Sequence, residues 1–259
     1  LNIKPEDKFY STTKLSFDIS LLELFMPLLS GGTVIIPEKN TELMKDLISE
    51  FKLRQATCIQ ATPSFWSSIG LEDLSIDSET KVLCGGEALT ETVKQNLLSK
   101  VNSFWNVYGP TETTIWSSYN SVRGKDNIRL GQPIWNTSIY VLDEELGLQP
   151  FGVAGEIYIG GEGLARGYHE RRGLTAERFI PDPYSGVTGS RMYRTGDLGR
   201  YRSDGSLEYV GRIDDQVKIR GYRIELGEIE QVLRGHEYIK DCAVLVLGEG
   251  DDKRLVGYV

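Results

Sequence analysis

The stretch that decides the fold is KVLCGGEALTETVKQNLLSKVNSFWNVYGPTETT, Lys81 to Thr114. A short apolar run meets Gly85-Gly86, the helix-patterned TETVKQNLLSK follows, and a second apolar run, SFWNVYG, ends at Gly109-Pro110. A strand, a helix and a strand in that order imply a right-handed crossover and a mainly parallel sheet. After the second strand, Thr111-Glu112-Thr113-Thr114 sets hydroxyls and one carboxylate at a strand's carboxyl end, which is where open α/β sheets bind ligands. On local grounds alone the same residues describe a helix start, with Thr111 as cap and Glu112 favoured by the dipole.

The alternation extends upstream. TVIIP (33–37) precedes the helical pattern TELMKDLISEFK (41–52), and ATCIQ (56–60) precedes SFWSSI (64–69). SFDISLLELFMPLLSGG (16–32) reads as a helix with Asp18 near its start. Leu21, Leu22, Leu24, Phe25, Leu28 and Leu29 form its broad apolar face, and Gly31-Gly32 stop it. Past about Ser117 the texture changes: SIYVLDEELGLQPFG, GEIYIGG and SLEYVGR are short, alternating and punctuated by glycine, and Ser203-Asp204-Gly205-Ser206 is a hairpin turn. QVKIRGYRIE (216–225) then reads as a strand pair feeding the helix LGEIEQVLRG, and DCAVLVLG as a further strand. The expectation is an α/β part over 1–117, a β-rich, barrel-like part over 118–213, and a small α+β unit over 214–259.

Composition narrows the function. The 259 residues, 40% of them apolar, are ample for a packed core. Thirty-seven acidic against twenty-nine basic residues, a net charge of −8, argue against nucleic acid as partner, since no basic block compensates. Cys58, Cys84 and Cys242 are far apart and outside any CxxC spacing, which suits a reducing cytoplasm, and His169 and His236 are too few for a zinc site. No apolar run approaches the roughly 18 residues of a membrane span, and no signal-peptide pattern opens the chain.

Five stretches, in order, together resemble the adenylation domains of nonribosomal peptide synthetases, within the adenylate-forming superfamily: LSFDIS, NVYGPTETT, GEIYIGGEGLARGYHERRGLTAERF, YRTGDLGR and GRIDDQVKIRGYRIELGEIE. The resemblance covers nearly the whole chain. It implies that an aminoacyl-adenylate is made from ATP and an amino acid, and that the acyl group passes to a phosphopantetheine thiol on a peptidyl carrier domain. That carrier is expected in the same polypeptide, with a condensation domain as neighbour. Negative charge builds at the α-phosphate as pyrophosphate leaves, so a metal and placed donors matter more than a protein nucleophile.

By this resemblance Thr111 hydrogen-bonds the α-phosphate, Glu112 ligates magnesium, and Tyr108 lies against adenine. Asp197 holds the ribose hydroxyls, which a carboxylate can accept two at a time. Arg212 lies near ribose and phosphate, Tyr209 bounds the adenine pocket, and Gly85 and Gly86 allow close backbone approach. Asp214 matches the hinge about which the small unit turns, and Lys218 with its KIRG strand belongs to the surface presented in the thioester-forming state. Each residue has a plainer reading: Asp197 as a turn former, Arg212 as a solvated strand-end charge, Gly85-Gly86 as a strand-to-helix turn. GEGLARGY, though a close match, is assigned no catalytic role.

Asp18 discriminates among relatives. In the resemblance it holds the substrate ammonium, a charge-assisted pair that acyl- or aryl-activating enzymes do not need, and its plainer role is a helix cap. The remaining pocket positions carry over as Ile19, Leu22, Gln60, Leu83, Gly85, Val107, Ile115 and Trp116. Bulky Trp116, Leu22 and Leu83 leave little room beyond the α-carbon, which resembles the lining of glycine-activating domains, with alanine as the natural leak. Every one of these residues could equally be ordinary core.

The family's phosphate loop ahead of FDIS and its C-terminal lysine do not occur between Leu1 and Val259, so the chain reads as an excerpt of a larger synthetase and is expected to be a poor catalyst alone. Two other readings stand beside this one. An acyl- or aryl-CoA ligase would tolerate loss of Asp18, and a noncatalytic nucleotide-binding remnant would hold ATP without forming an adenylate.

Overall fold

Alternation of inward- and outward-facing residues builds the first half of the chain into one sheet covered on both faces. The computed structural model describes residues 3–37, 44–69, 76–124, 126–248 and 253–259. The strands of this sheet are β1 (Lys8–Tyr10), β2 (Thr33–Ile35), β3 (Cys58–Ala61), β4 (Lys81–Gly85), β5 (Ser103–Tyr108), β6 (Ser118–Ser121) and β7 (Gln132–Pro133), in the spatial order β2-β1-β3-β4-β5-β6-β7. The first five are parallel, and β6 and β7 continue the sheet antiparallel.

Helices α1 (Ile19–Leu29), α2 (Met44–Leu53), α3 (Pro63–Ser68) and α4 (Glu91–Leu98) connect the parallel strands. Thr62 and Thr90 start α3 and α4 by accepting the backbone N–H groups of Phe65 and Val93, the usual satisfaction of orphan helix donors. Strand periodicity assigns the faces. Tyr10, Ile59, Val82 and Phe104 pack against Ile48, Phe51, Trp66, Val93 and Leu97 of α2 to α4. The alternate positions Phe9, Cys58, Leu83 and Val107 meet Ile19, Leu22 and Met26 of α1. From β1 the chain runs out to β2 and returns across it to β3, so the carboxyl ends of β1 and β3 form the switch point at which such sheets open a crevice.

The second sheet is antiparallel: β8 (Thr137–Leu142), β9 (Gly155–Gly161), β10 (Phe179–Pro181), the long β11 (Arg191–Tyr201) and β12 (Leu207–Arg212), with α5 (Arg172–Arg178) ahead of β10. The hairpin expected at Ser203–Ser206 joins β11 to β12, with Gly205 at φ +78°. Tyr108, Leu130, Ile139, Ile157, Ile159 and Leu207 fill the space between the sheets. The chain ends in two hairpins, β13 (Val217–Ile219) with β14 (Tyr222–Ile224) and β15 (Ala243–Leu247) with β16 (Arg254–Tyr258), and α6 (Leu226–Arg234) lies between them. Cys58, Cys84 and Cys242 are buried and free, and among the described residues no helix is long and apolar enough to cross a membrane.

Several expectations need correction. The change of texture at Ser117 is not a change of sheet, because β6 and β7 extend the first one. β1 and β16 lie in stretches whose pattern raised no strand expectation. The opening of the helix expected over 41–52 falls at 41–43, outside the described residues. α1 turns a different face inward than its leucines suggest: Ser20, Glu23 and Pro27 are buried, whereas Leu21, Phe25, Leu28 and Leu29 are exposed. The Glu23 carboxylate accepts Ser11 Oγ at 2.9 Å, Thr13 N at 3.0 Å and Thr13 Oγ1 at 2.6 Å, so a polar network sets the helix rotation against its bulk hydrophobicity.

Gly131 joins the two sheets, pairing through its N–H and carbonyl with Leu207 at φ +83°, where an added Cβ would fall on the Tyr119 carbonyl. Gly131→Ala is expected to destabilise the protein that carries this chain by about 2–3 kcal/mol, read as a lower urea midpoint at unchanged m-value.

Candidate active site

The carboxyl ends of β4 and β5 face the β11–β12 hairpin across a cavity of about 560 Å³. Five residues expected at a nucleotide line it: Gly86, Tyr108, Asp197, Tyr209 and Arg212. Three of them form a bonded chain. The Tyr108 hydroxyl donates to Asp197 Oδ2 at 2.6 Å, and Arg212 Nη1 donates to Asp197 Oδ1 at 2.7 Å. Arg212 then grips Asp214 with Nε at 2.6 Å and Nη2 at 2.7 Å. Burial, reinforced by Asp197, holds the Tyr108 phenol protonated, and burial pushes Tyr209 up to about 12. The readings of Asp197 as a turn former and Arg212 as a solvated charge fail here, since both lie in β-strands and both are mostly buried.

A smaller adjoining cavity of about 140 Å³ shares Gly86, Tyr108, Asp197 and Arg212 with the first and adds Asp18, Ile19, Thr111, Ile115 and Trp116. Asp18 occupies the N-cap position of α1 but makes no capping bond, and its Oδ2 is buried without a partner. A carboxylate oxygen in that state is costly unless a donor meets it. Asp18 thus holds the cap position without capping, and among the described residues no donor meets this oxygen.

GPTET is not the start of an α-helix. Thr111–Thr113 make a single 3-10 turn capped by Pro110, and Thr114 and Ile115 follow at φ +62° and +70°. Thr111 is exposed and borders the smaller cavity, whereas Glu112 lies just behind it. Glu112 is held by Tyr168, whose hydroxyl donates at 2.7 Å, and by Arg223 of β14, whose Nη1 lies 2.9 Å from both carboxylate oxygens. Burial works to raise the Glu112 carboxyl, but Arg223 and the Tyr168 hydrogen bond outweigh it, and the group sits below the usual glutamate range.

The amino-acid positions divide. Ile19, Gln60 and Gly85 line a third cavity of about 160 Å³ with Thr12, Thr13, Ala61, Thr62 and Phe65, at the β1/β3 switch point. Trp116 lies against this group: its Nε1 donates to Gln60 Oε1 at 2.9 Å, and a Cβ on Gly85 would meet its ring at 2.7 Å. Leu22 and Leu83 border none of these three cavities and back the apolar cluster behind Trp116, while Val107 borders the large one.

The elements that close the site include the strand pair expected over 216–225, whose Lys218 was expected on a surface presented in the thioester-forming state and here lines the cavities. The β13–β14 hairpin covers it: Gly221 N donates to Glu87 Oε1 at 2.5 Å, Tyr222 packs edge-on against Phe17, and Lys218 and Gln216 line the cavities of about 560 and 140 Å³. Burial lowers the Lys218 ammonium, opposed by Asp197 and reinforced by Arg223 and Arg212. The only sequence signal for these residues was their place in the GRIDDQVKIRGYRIELGEIE match.

Comparison with known proteins gives this geometry its family. Residues 1–169 match the family described as AMP-binding enzyme. The chain belongs to that family. It is 48% identical over 263 residues to a dimodular nonribosomal peptide synthase of Bacillus subtilis (strain 168), covering 98% of this chain and 11% of that protein. It is 42% identical over 264 residues to the malpinin synthetase of Mortierella alpina, covering 100% of this chain and 3% of that one. Among solved structures, holo-AB3403, a four-domain nonribosomal peptide synthetase bound to AMP and glycine, matches at 45% identity and a TM-score of 0.77 over 99% of this chain and 20% of that one. Holo-PA1221, with adenylation and PCP domains, matches at 32% identity and a TM-score of 0.87 over 99% of this chain and 46% of that one. The expected adenylate-forming fold is thus present, in a chain that spans a small share of these relatives.

Arg212→Met leaves Asp197 and Asp214 without their shared counter-ion and is expected to cost about 3 kcal/mol at neutral pH. Burial raises Asp214 but Arg212 overrides it, so in the wild type this carboxyl titrates below 3.8 and its stabilisation is lost only as pH falls through that lowered value. The deficit of the variant should therefore be full at neutral pH and shrink as acid protonates Asp214, which burial without Arg212 makes easier, in pH-dependent urea unfolding.

Proposed function

We propose that the parent of this chain is an amino-acid-activating adenylation enzyme, joining the carboxylate of a small amino acid, glycine foremost, to the α-phosphate of ATP. The observation that carries the reading is the unpartnered, buried Asp18 Oδ2 in a cavity that runs on to Thr111, Asp197 and Arg212. A substrate ammonium supplies the donor that this oxygen lacks.

The division of labour follows from position. Asp197, steadied by Tyr108 and Arg212, accepts the ribose hydroxyls, and Tyr108 and Tyr209 bound the base. Asp18 fixes the amine, so the substrate carboxylate points toward Thr111. One carboxylate oxygen attacks the α-phosphorus, an O–P bond forms, and the bond to pyrophosphate breaks. Thr111 donates to the α-phosphate oxygens as charge develops there. In the second half-reaction a carrier phosphopantetheine thiol, deprotonated, attacks the acyl carbon and AMP leaves.

Magnesium fits at Glu112 on one observation: that carboxylate already holds a cation, the Arg223 guanidinium, one residue along the chain from Thr111. The described residues contain no cluster of three or more metal-type side chains, which suits an ion bound by one or two carboxylates and substrate phosphates. When bound it would neutralise phosphate charge. Arg223 and the ion cannot share Glu112, so the pairing of Arg223 with Glu112 belongs to a step without metal at that carboxylate. Movement of the 214–259 unit about Asp214 is the change that would clear it, and residues 1–117 and 118–213 remain the fixed body in this reading.

Glycine is favoured because Trp116, fixed against Gly85, closes the space beyond the α-carbon. One similar structure is described as bound to AMP and glycine. A peptidyl carrier and a condensation domain in the same polypeptide, and a cytoplasmic location, complete the proposal. An acyl- or aryl-CoA ligase would leave Asp18 Oδ2 without a partner, and a noncatalytic remnant would leave Thr111 and Asp18 converging on nothing.

ATP–pyrophosphate exchange in the parent protein tests the reading. Glycine is expected to drive exchange, and Asp18→Asn to lower kcat/KM by about 10- to 150-fold, the worth of one hydrogen bond to a charge. Undiminished exchange in that variant, or exchange driven by acids without an amine, contradicts it. Arg223→Gln is expected to lower the magnesium concentration needed for half-maximal exchange, measured by titration.

A further inference from the structure

We propose that Tyr168 is a positioning residue for the Glu112 carboxylate: its hydroxyl holds one carboxylate oxygen in place, so that the other is free to take a divalent ion once Arg223 withdraws. This role rests on magnesium binding at Glu112, as proposed above, and gives a task to GEGLARGY (161–168), the matched stretch that had none.

Three bonds wrap that stretch around the turn at Thr111–Thr114. Ala165 N donates to the Glu112 carbonyl at 2.8 Å, the Thr114 hydroxyl donates to the Gly163 carbonyl at 2.6 Å, and the Tyr168 hydroxyl donates to Glu112 Oε1 at 2.7 Å. The approach is close: a Cβ on Gly163 would meet the Thr113 carbonyl oxygen at 2.8 Å. The first two bonds seat the turn, and only the third reaches the carboxylate of Glu112.

Tyr168 is itself held by groups that the hairpin carrying Arg223 does not supply. Its backbone N–H donates to Thr175 Oγ1 at 3.0 Å, and its ring meets Phe179 edge-on with centroids 5.5 Å apart. Thr175 lies in α5 and Phe179 opens β10. Gly167, at φ +141°, lets the chain pass so near Thr175 that a Cβ there would overlap the threonine methyl. The buried Tyr193 directs the proton: its hydroxyl accepts from Arg223 Nη2 at 3.4 Å and lies 3.3 Å from the Tyr168 hydroxyl. Tyr193 can therefore donate to Tyr168, which leaves the Tyr168 proton for Glu112.

The two oxygens of Glu112 are thus unequal. Oε1 takes both Tyr168 and Arg223, whereas the bond from Arg223 at 2.9 Å is what answers Oε2. Without Arg223, Oε1 keeps its tyrosine and Oε2 loses its cation. A carboxylate fixed in this way gives up less rotamer freedom when it binds an ion than a free one does, which is why hydrogen-bond partners of metal ligands weigh on affinity.

Manganese binding to the complete adenylation enzyme tests this, with α,β-methylene ATP present and free Mn²⁺ read by electron paramagnetic resonance. Tyr168→Phe keeps the ring and removes the hydroxyl. It is expected to weaken Mn²⁺ binding about 10-fold and to raise the magnesium concentration for half-maximal ATP–pyrophosphate exchange by about the same factor, most of kcat returning at saturating magnesium. On a Glu112→Gln background the same substitution should add nothing to the loss of Mn²⁺ affinity. A Tyr168→Phe variant that binds Mn²⁺ as the wild type does, whether or not its urea midpoint falls, overturns the proposal, and so does an equal loss on the Glu112→Gln background. Should Tyr168→Phe not fold, Thr175→Val, which removes the seat of the Tyr168 backbone, decides in its place: weaker Mn²⁺ binding supports the role and unchanged binding refutes it. Glu112→Gln binding Mn²⁺ as tightly as the wild type would instead contradict magnesium at Glu112, a failure told apart by that single variant.

Discussion

Asp197 is a buried carboxylate, and the rest of the site depends on how its charge is answered. Two donors from different parts of the chain meet it, Tyr108 at the end of the parallel run and Arg212 at the end of the β11–β12 hairpin. Leaving such a group unpaired costs several kcal/mol, so the pairing fixes how the two sheets sit against each other. Arg212 carries the constraint onward by gripping Asp214, just ahead of β13. One ionic chain therefore ties the cavity, the seating of the two sheets and the approach to the β13–β14 hairpin together.

Much of this was legible in the sequence, for identifiable reasons. Strand-helix alternation from Thr33 to Val107 reports a parallel sheet because buried strands and crossover helices leave different periodicities. Five of the residues expected at a nucleotide line one cavity because motif spacing is set by the turns that carry them. What could not be read is equally physical. The rotation of α1 is decided by Glu23 meeting Ser11 and Thr13, a contact between elements that no periodicity encodes. β1 and β7 are too short to leave a pattern, and β6 and β7 join the first sheet through pairing partners far from the local texture. Arg223 on Glu112 links residues more than a hundred positions apart, and only the motif hinted that this strand would matter.

In the proposed reading, the amino-acid end of the site works by exclusion. Leu22 and Leu83, expected to line the pocket, instead form the apolar backing that keeps Trp116 in place. Asp18 offers an unsatisfied acceptor in the cavity that Thr111 borders, and on the reading proposed above that acceptor takes a substrate ammonium. Such a design would reject bulk firmly and a single methyl only modestly.

Glu112 is matched by an internal cation, Arg223, and on the proposed reading that carboxylate takes a divalent ion once the pairing opens. The most direct test is a crystal structure of the complete adenylation domain with glycine and AMP. The glycine nitrogen is expected within about 3 Å of Asp18 Oδ2, with the ribose on Asp197. A glycine amine turned away from Asp18, or an Asp18 carboxylate already satisfied by the protein, would contradict the assignment.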